Sequence, residues 1–191
     1  CRVGMIKVSS KMPSFLGDRE LEYILSPVKI TMKRGLPNIE TLSFKLEETK
    51  EGDLIEVPRW VSEVLVDMGF AEVQGEPFEV EVFKVLSRER IQGSLQLSTL
   101  KGDFYLKMKR YLGNLKLKSE RNGAFKPDFE RFSVSAYDLI TLRLSKLLYL
   151  ASSSSTPQDL FEKITPEERE LFNEAHRMVD GWRRAVLEGA S

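Results

Sequence analysis

Apolar residues follow two different periods along this chain. From Val28 to Val57 they alternate with polar ones: Val28, Ile30 and Met32, then Leu42, Phe44 and Leu46, with turn chemistry between the runs in KRGLPN and ETKEGD. That is the period of half-buried strands. Leu54 to Val57 is a further run of β-formers. Pro58 stops it, because proline donates nothing to a ladder but suits the first turn of a helix. A helix beginning at Pro58 puts Trp60, Val61, Val64, Leu65 and Met68 on one arc, with Arg59, Ser62, Glu63 and Asp67 opposite. Gly69 admits the left-handed conformation that closes such a helix, and extended structure resumes at Phe70. The predicted structural core of this small unit is Pro58, Trp60, Val64 and Leu65. Trp60 as an exposed stacking platform is the competing reading. Upstream, Arg19 to Leu25 reads as a short helix.

After Gly75-Glu76-Pro77 the period becomes about 3.6 and stays there. A helix is predicted from Phe78 to about Gln92. From Ser98 onward Leu100, Phe104, Met108, Tyr111, Leu112 and Leu115 share one face. SERNGAFKP breaks the pattern, with Asn122-Gly123 as the turn. A long helix follows over about Asp128 to Ala151, then the SSSST linker and a short helix opened by Thr156-Pro157. Thr165, Pro166 and Glu168 supply an N-cap, a proline at the first helical position and a capping-box glutamate for a final helix that Gly189 can close. The expected fold class is α+β: a small β-rich domain with one good helix over 1–75, then a helical domain over 76–191.

The long helix has the widest apolar arc. Leu139, Leu150, Ala136, Leu147, Ile140, Ala151, Leu144, Tyr137 and Leu148 together cover roughly 180° of it. Arg143 falls inside that arc, and a desolvated arginine requires a carboxylate partner. Either this helix is surrounded within one chain, or another subunit covers its extra face.

Composition bounds the rest. A chain of 191 residues holds one large domain or two small ones, and 41% hydrophobic with 30% charged residues is an ordinary soluble composition. No apolar run approaches the ~20 residues of a membrane span. A single cysteine, Cys1, excludes an intramolecular disulfide and suggests a reducing interior. Residues 1–4, ahead of Met5, read as either a remnant or a native extension. The net charge of zero conceals a basic middle: residues 86–150 hold 13 Lys and Arg against 6 Asp and Glu, and residues 151–191 hold 5 against 8.

Candidate chemistry is sparse. His176 is the only histidine and has no second histidine or cysteine for a metal site or nucleophile pair. Phosphate-loop, dinucleotide, zincin and nucleophile-elbow motifs are absent. The carboxylate pairs Asp53 with Glu56 and Glu167 with Glu168 fall at a strand and at a helix start, where capping and the dipole account for the second. No catalytic residue, metal or cofactor is expected, and an enzyme working with Asp, Glu, Lys and Tyr alone is the minor reading. The basic segment Lys101 to Lys126 offers Lys107, Lys109, Arg110, Lys116 and Lys118, with Arg121 and Lys126, as candidate DNA contacts. Its Phe104 and Tyr111 point with Leu100 and Leu115 to the packed face, so they are core rather than stacking platforms.

The order of these parts carries a resemblance. A small β-rich domain ending in GDLIEVPRWVSEVLVDMGFAEV, then a helical domain with DLITLRLSKLLYLASS and a closing TPEERELFNEAHRMVDGWRRAV, resembles the archaeal GINS subunit that carries its small domain first. SERNGAFKP and the first residues depart from the family's pattern. The resemblance implies a non-catalytic scaffold at the replication fork in the cytoplasm of an archaeal cell. In that role it links the MCM helicase to a RecJ-like protein, primase and DNA polymerase, with weak or indirect DNA contact. It implies assembly through the helical domains, typically two copies with two of a domain-reversed sister subunit. Leu139, Arg143, Lys146, Leu147, Leu150 and Trp182 are then the interface candidates, and the small domain becomes a docking module. The rival expectation is a free-standing nucleic-acid-binding protein using residues 101–126.

Overall fold

The computed structural model describes residues 15–40, 44–93, 95–153 and 157–187. Expectations for residues 1–4, Leu42, Thr156 and Gly189 lie outside them, as does most of the SSSST linker. The chain is α+β and divides into two compact units, 1–75 and 76–191.

The first unit begins with α1 (Phe15–Leu25) and β1 (Pro27–Met32). The short pair β2 (Ile39–Glu40) and β3 (Lys45–Leu46) follows, then β4 (Leu54–Pro58), α2 (Arg59–Asp67) and β5 (Ala71–Val73). The sheet runs β4-β1-β5 with both pairings antiparallel, so Ile30 faces Ile55 on one side and Val73 on the other. Alternation decides which face is covered: Val28, Ile30, Met32 and Val57 are buried with Val61 and Leu65 of α2, while Lys29, Leu54, Glu56 and Glu72 are exposed. Turns fall where the backbone needs glycine. Gly52 has φ +90° after β3, and Gly69 has φ +74° past α2, where the Phe70 N–H closes back on the Leu65 carbonyl at 2.9 Å.

Helix α2 starts at Arg59 with Pro58 as its N-cap, but its apolar arc is only partly covered. Val61 and Leu65 are buried, whereas Trp60 is 39% exposed and Val64 and Met68 are exposed on its outer side. Trp60 and Val64 are thus not core, and Pro58 is half-buried. A sheet of three short strands is too narrow to take the whole arc, so it takes one edge. On that edge lies Ser62, expected to face outward; it is buried with its hydroxyl donating to the Arg59 carbonyl at 2.7 Å.

The second unit packs α3 (Phe78–Ile91), α4 (Phe104–Arg121) and α5 (Lys126–Ser152) around Val82, Val85, Leu86, Phe104, Met108, Phe132, Ala136 and Leu139. A 3-10 turn over Gly123–Phe125 joins α4 to α5, with the Asn122 side chain accepting from the Ala124 N–H. A second cluster, Leu97, Leu147, Leu150, Ala151, Leu160, Ile164 and Phe172, joins α5 to α6 (Leu160–Lys163) and α7 (Pro166–Leu187). Helix α6 opens behind Asp159, three residues later than Thr156-Pro157, because the Pro157 carbonyl is used by a turn to the Leu160 N–H. Helix α7 starts as its capping box requires: the Glu168 N–H donates to Thr165 Oγ1 at 3.3 Å and the Thr165 N–H to Glu168 Oε2 at 3.0 Å.

Candidate assembly surface

Helix α5 buries two charged side chains. Arg143 is 0% exposed and Lys146 is buried. The Arg143 guanidinium forks onto Glu168 of α7, Nε to Oε1 at 2.6 Å and Nη2 to Oε2 at 2.8 Å. Its Nη1 donates to Glu89 Oε1 of α3 at 2.6 Å and to the Ser98 carbonyl at 2.9 Å. Lys146 Nζ donates to Glu89 Oε2 at 2.7 Å and to the carbonyls of Glu89 and Gln96, both at 2.9 Å. The Tyr105 hydroxyl of α4 donates to Glu168 Oε1 at 2.7 Å.

Glu168 therefore accepts four hydrogen bonds, two per oxygen, and Lys146 spends all three of its protons on these carbonyl and carboxylate oxygens. Two cations meet two carboxylates, so the buried charge closes to zero. Burial pushes the Glu89 carboxyl upward, but hydrogen bonds from Lys146 and Ser98 and the charge of Arg143 outweigh it and hold it below its ordinary value. Burial opposes the charge on Arg143 as well, and Glu168 more than offsets it. The Tyr105 hydroxyl is raised, by burial first and then by the neighbouring Glu168 carboxylate. This is a clamp that fixes α3, α4, α5, α7 and the 96–98 segment to one another.

The clamp corrects the interface assignment. The carboxylates that Arg143 requires come from its own chain, and Leu139, Lys146, Leu147 and Leu150 are likewise buried within it. They offer nothing to a second subunit. The partner residues were missed although a signal existed: Glu89 falls at the spacing of Val82, Val85 and Leu86, on the buried stripe of α3, where a lone carboxylate needs a cation. Capping and the helix dipole account for Glu168 in the sequence, but the cap uses only one of the four hydrogen bonds that its carboxylate accepts.

What α5 leaves uncovered is the other side of the same arc. Tyr137 is 71% exposed, and Ile140, Leu144 and Leu148 are exposed with it, at spacings of three and four residues. Helix α7 packs beside α5 and runs parallel to it, since Arg143 meets Glu168 and Ala151 meets His176 at a constant offset. Because α5 ends at Ser152, the last 11 residues of α7, about 16 Å, extend past His176 with little of α5 beside them. Met178, Trp182, Val186 and Leu187 lie on that extension, with Trp182 66% exposed. Trp182 is the one interface candidate that stands at the surface.

The remaining candidates are placed as follows. His176 stacks flat on Phe172, its Nδ1 is 2.9 Å from the Ala151 carbonyl and its Nε2 3.3 Å from Asp180. Asp53 accepts from the Lys50 N–H in the turn before β4. Lys107 is largely covered and pairs with Asp103 at 3.1 Å, within one turn of α4. Lys109, Lys116, Lys118 and Arg121 are exposed and Arg110 is half-buried. Phe104 and Tyr111 pack into the core, as their helical spacing requires. An open groove of about 480 Å³ between α3 and α5 is lined by Val80, Phe83 and Phe132, and its charged groups, Glu79 and Arg131, are paired at 2.9 Å. Among the described residues no cluster of three or more His, Cys, Asp or Glu is placed to hold a metal ion, and no helix is long and apolar enough to cross a membrane.

No model of a known protein family matches this chain, and no curated protein matches it.

Proposed function

We propose that the protein is a non-catalytic subunit of a GINS-type replication assembly, scaffolding the MCM helicase with a RecJ-like protein, primase and DNA polymerase. The observation that carries the assembly role is the exposed apolar face of α5, Tyr137, Ile140, Leu144 and Leu148, together with the exposed Met178 and Trp182 on the α7 extension. A chain that buries Arg143 and Lys146 yet leaves these apolar side chains exposed supports the reading of that face as a surface for another subunit. The identity of that subunit rests on the sequence resemblance: a domain-reversed sister in a two-plus-two tetramer, working at the fork in an archaeal cytoplasm.

Co-expression with such a sister, followed by light scattering, tests the reading. The expected result is one stable heteromer that Leu144→Asp or Trp182→Ala disrupts. A monodisperse monomer, indifferent to the sister, defeats it. The exposed lysines of α4 are the basis of the rival, sequence-independent DNA binding, which requires affinity that falls steeply with added salt.

A further inference from the structure

The end of α5 is closed from outside the helix. The last carbonyls of a helix have no partner within it and carry the negative end of its dipole. Here the Tyr149 carbonyl accepts from the Ser152 hydroxyl at 2.8 Å and the Leu150 carbonyl from the Ser153 N–H at 3.1 Å. The next two are met from α7: the Ala151 carbonyl by His176 Nδ1 at 2.9 Å, and the Ser152 carbonyl by Arg183 Nη2. Asp180 stands between these two side chains, its Oδ2 3.3 Å from His176 Nε2 and its Oδ1 3.9 Å from Arg183 Nη1.

His176 thus faces an acceptor at each ring nitrogen. A carbonyl and a carboxylate accept and never donate, whereas a neutral imidazole has one N–H. Both contacts form together only in the imidazolium, which also suits the negative end of α5. The ring is kept in its plane by Phe172, on which it lies at an interplanar angle of 5°. The other charged groups around it are committed: Arg177 to Glu174 on α7, Lys163 to Asp159 on α6, and Arg143 and Lys146 of α5 to Glu168 and Glu89.

We infer that His176 is a proton-operated latch: charged, it ties α7 at once to the end of α5 and to Asp180, and on losing its proton it releases Asp180 and loosens the α7 extension that carries Trp182. In the neutral form Nδ1–H stays on the Ala151 carbonyl, and the bare Nε2 lone pair points at the Asp180 carboxylate. Asp180 is then left with Arg183 and draws its guanidinium away from the Ser152 carbonyl, so the second tie weakens with the first. A fold that favours the charged imidazole has this stability in full at low pH and loses it as pH rises through the titration. Acid loss through Glu89 falls below about pH 4.5, outside that range. The latch is a contact inside the chain and does not depend on the assembly reading.

The test measures amide hydrogen-exchange protection factors of the full chain at about pH 5.5 and about pH 8, on either side of the ordinary imidazole value of about 6.5. Because His176 is the only histidine, its imidazole nitrogen resonances report the protonation state at each pH directly. In the wild-type chain the amides from His176 to Leu187 are expected to be at least about threefold more protected at the lower pH. His176→Gln should protect them equally at both, since a glutamine amide still donates to Ala151 but takes up no proton. Asp180→Asn should also level the two, because an amide donates to a bare Nε2 and accepts from a protonated one. Equal protection of the wild-type chain at the two pH values, or an imidazole still neutral at about pH 5.5, overturns the inference. So does a pH dependence that persists in His176→Gln, or an Asp180→Asn variant as pH-dependent as the wild type.

Discussion

Two groups on α5 stand against their hydropathy. Arg143 and Lys146 lie on its buried side among Leu139, Leu147 and Leu150, and Tyr137, Ile140, Leu144 and Leu148 lie on its exposed side. Hydropathy alone assigns each group to the opposite environment. The difference lies in partners: the cations are inside because Glu89, Glu168 and backbone carbonyls complete their hydrogen bonding, whereas the apolar residues are outside because no described residue of the helical unit covers them. Burial is therefore decided by whether a site can be satisfied, more than by the polarity of one side chain.

Breaking the clamp should have the largest effect. Glu168→Ala removes both fork contacts to Arg143, the Tyr105 bond and the return half of the capping box, leaving a buried guanidinium half unpaired. Loss of one member of a buried ion pair costs about 3–5 kcal/mol. Chemical denaturation of the full chain, followed by far-ultraviolet circular dichroism, should show the helical unit destabilised by that amount. Replacing Arg143, Lys146, Glu89 and Glu168 together by apolar residues of similar volume should cost much less, because no unpaired charge remains.

Acid reaches the same clamp. Glu89 is depressed relative to its ordinary value of 4.5. A depressed carboxyl contributes stability that is fully present above its unfolded value and is lost as pH falls through its folded one. The helical unit should hold its stability from neutrality down to about pH 4.5 and lose it below. In Glu89→Gln, measured against its own lower baseline, that part of the acid slope should flatten. An unchanged slope would mean that other carboxylates carry the acid transition.

The uncovered side should respond in the opposite way. Tyr137→Asp places a charge where water already is, since Tyr137 is 71% exposed, so the stability of the isolated chain should change by no more than about 0.5 kcal/mol. Assembly should weaken at least tenfold, as read by light scattering of the mixture with a sister subunit. A variant that unfolds the monomer would show that this face is needed by the chain itself.

How much of this was legible in the sequence differs between the same two sides. The 3.6 period located α3 and α5 to within two residues and α4 with a start six residues too early, at Ser98 rather than Phe104, and Thr165-Pro-Glu-Glu168 marked the start of α7, because these signals are local. Arg143 in an apolar arc announced that a carboxylate was required. It did not say which one, since Glu89 lies 54 positions away and Glu168 25 positions away, and only the packing of α3 and α7 on α5 brings them in. The width of the arc was visible too. Which half a neighbour covers depends on where α7 docks, and the period carries no record of that. In the small unit the same limit placed Trp60 and Val64 in a core too narrow to hold them.

Helix α2 repeats the comparison at smaller scale and supplies the smallest effect. Trp60 and Leu65 stand on one predicted arc, but Leu65 is buried between the sheet and α2 while Trp60 meets Phe44 edge-on and is 39% exposed. Leu65→Ala empties a packed site and should cost about 2–5 kcal/mol. Trp60→Ala loses one edge-to-face contact and part of its apolar area, so about 1–2 kcal/mol is expected despite the larger side chain removed. Thermal or urea unfolding of the two variants in the full chain measures the order directly. If Trp60→Ala costs as much as Leu65→Ala, the indole is a wedge that the small unit needs for its own stability.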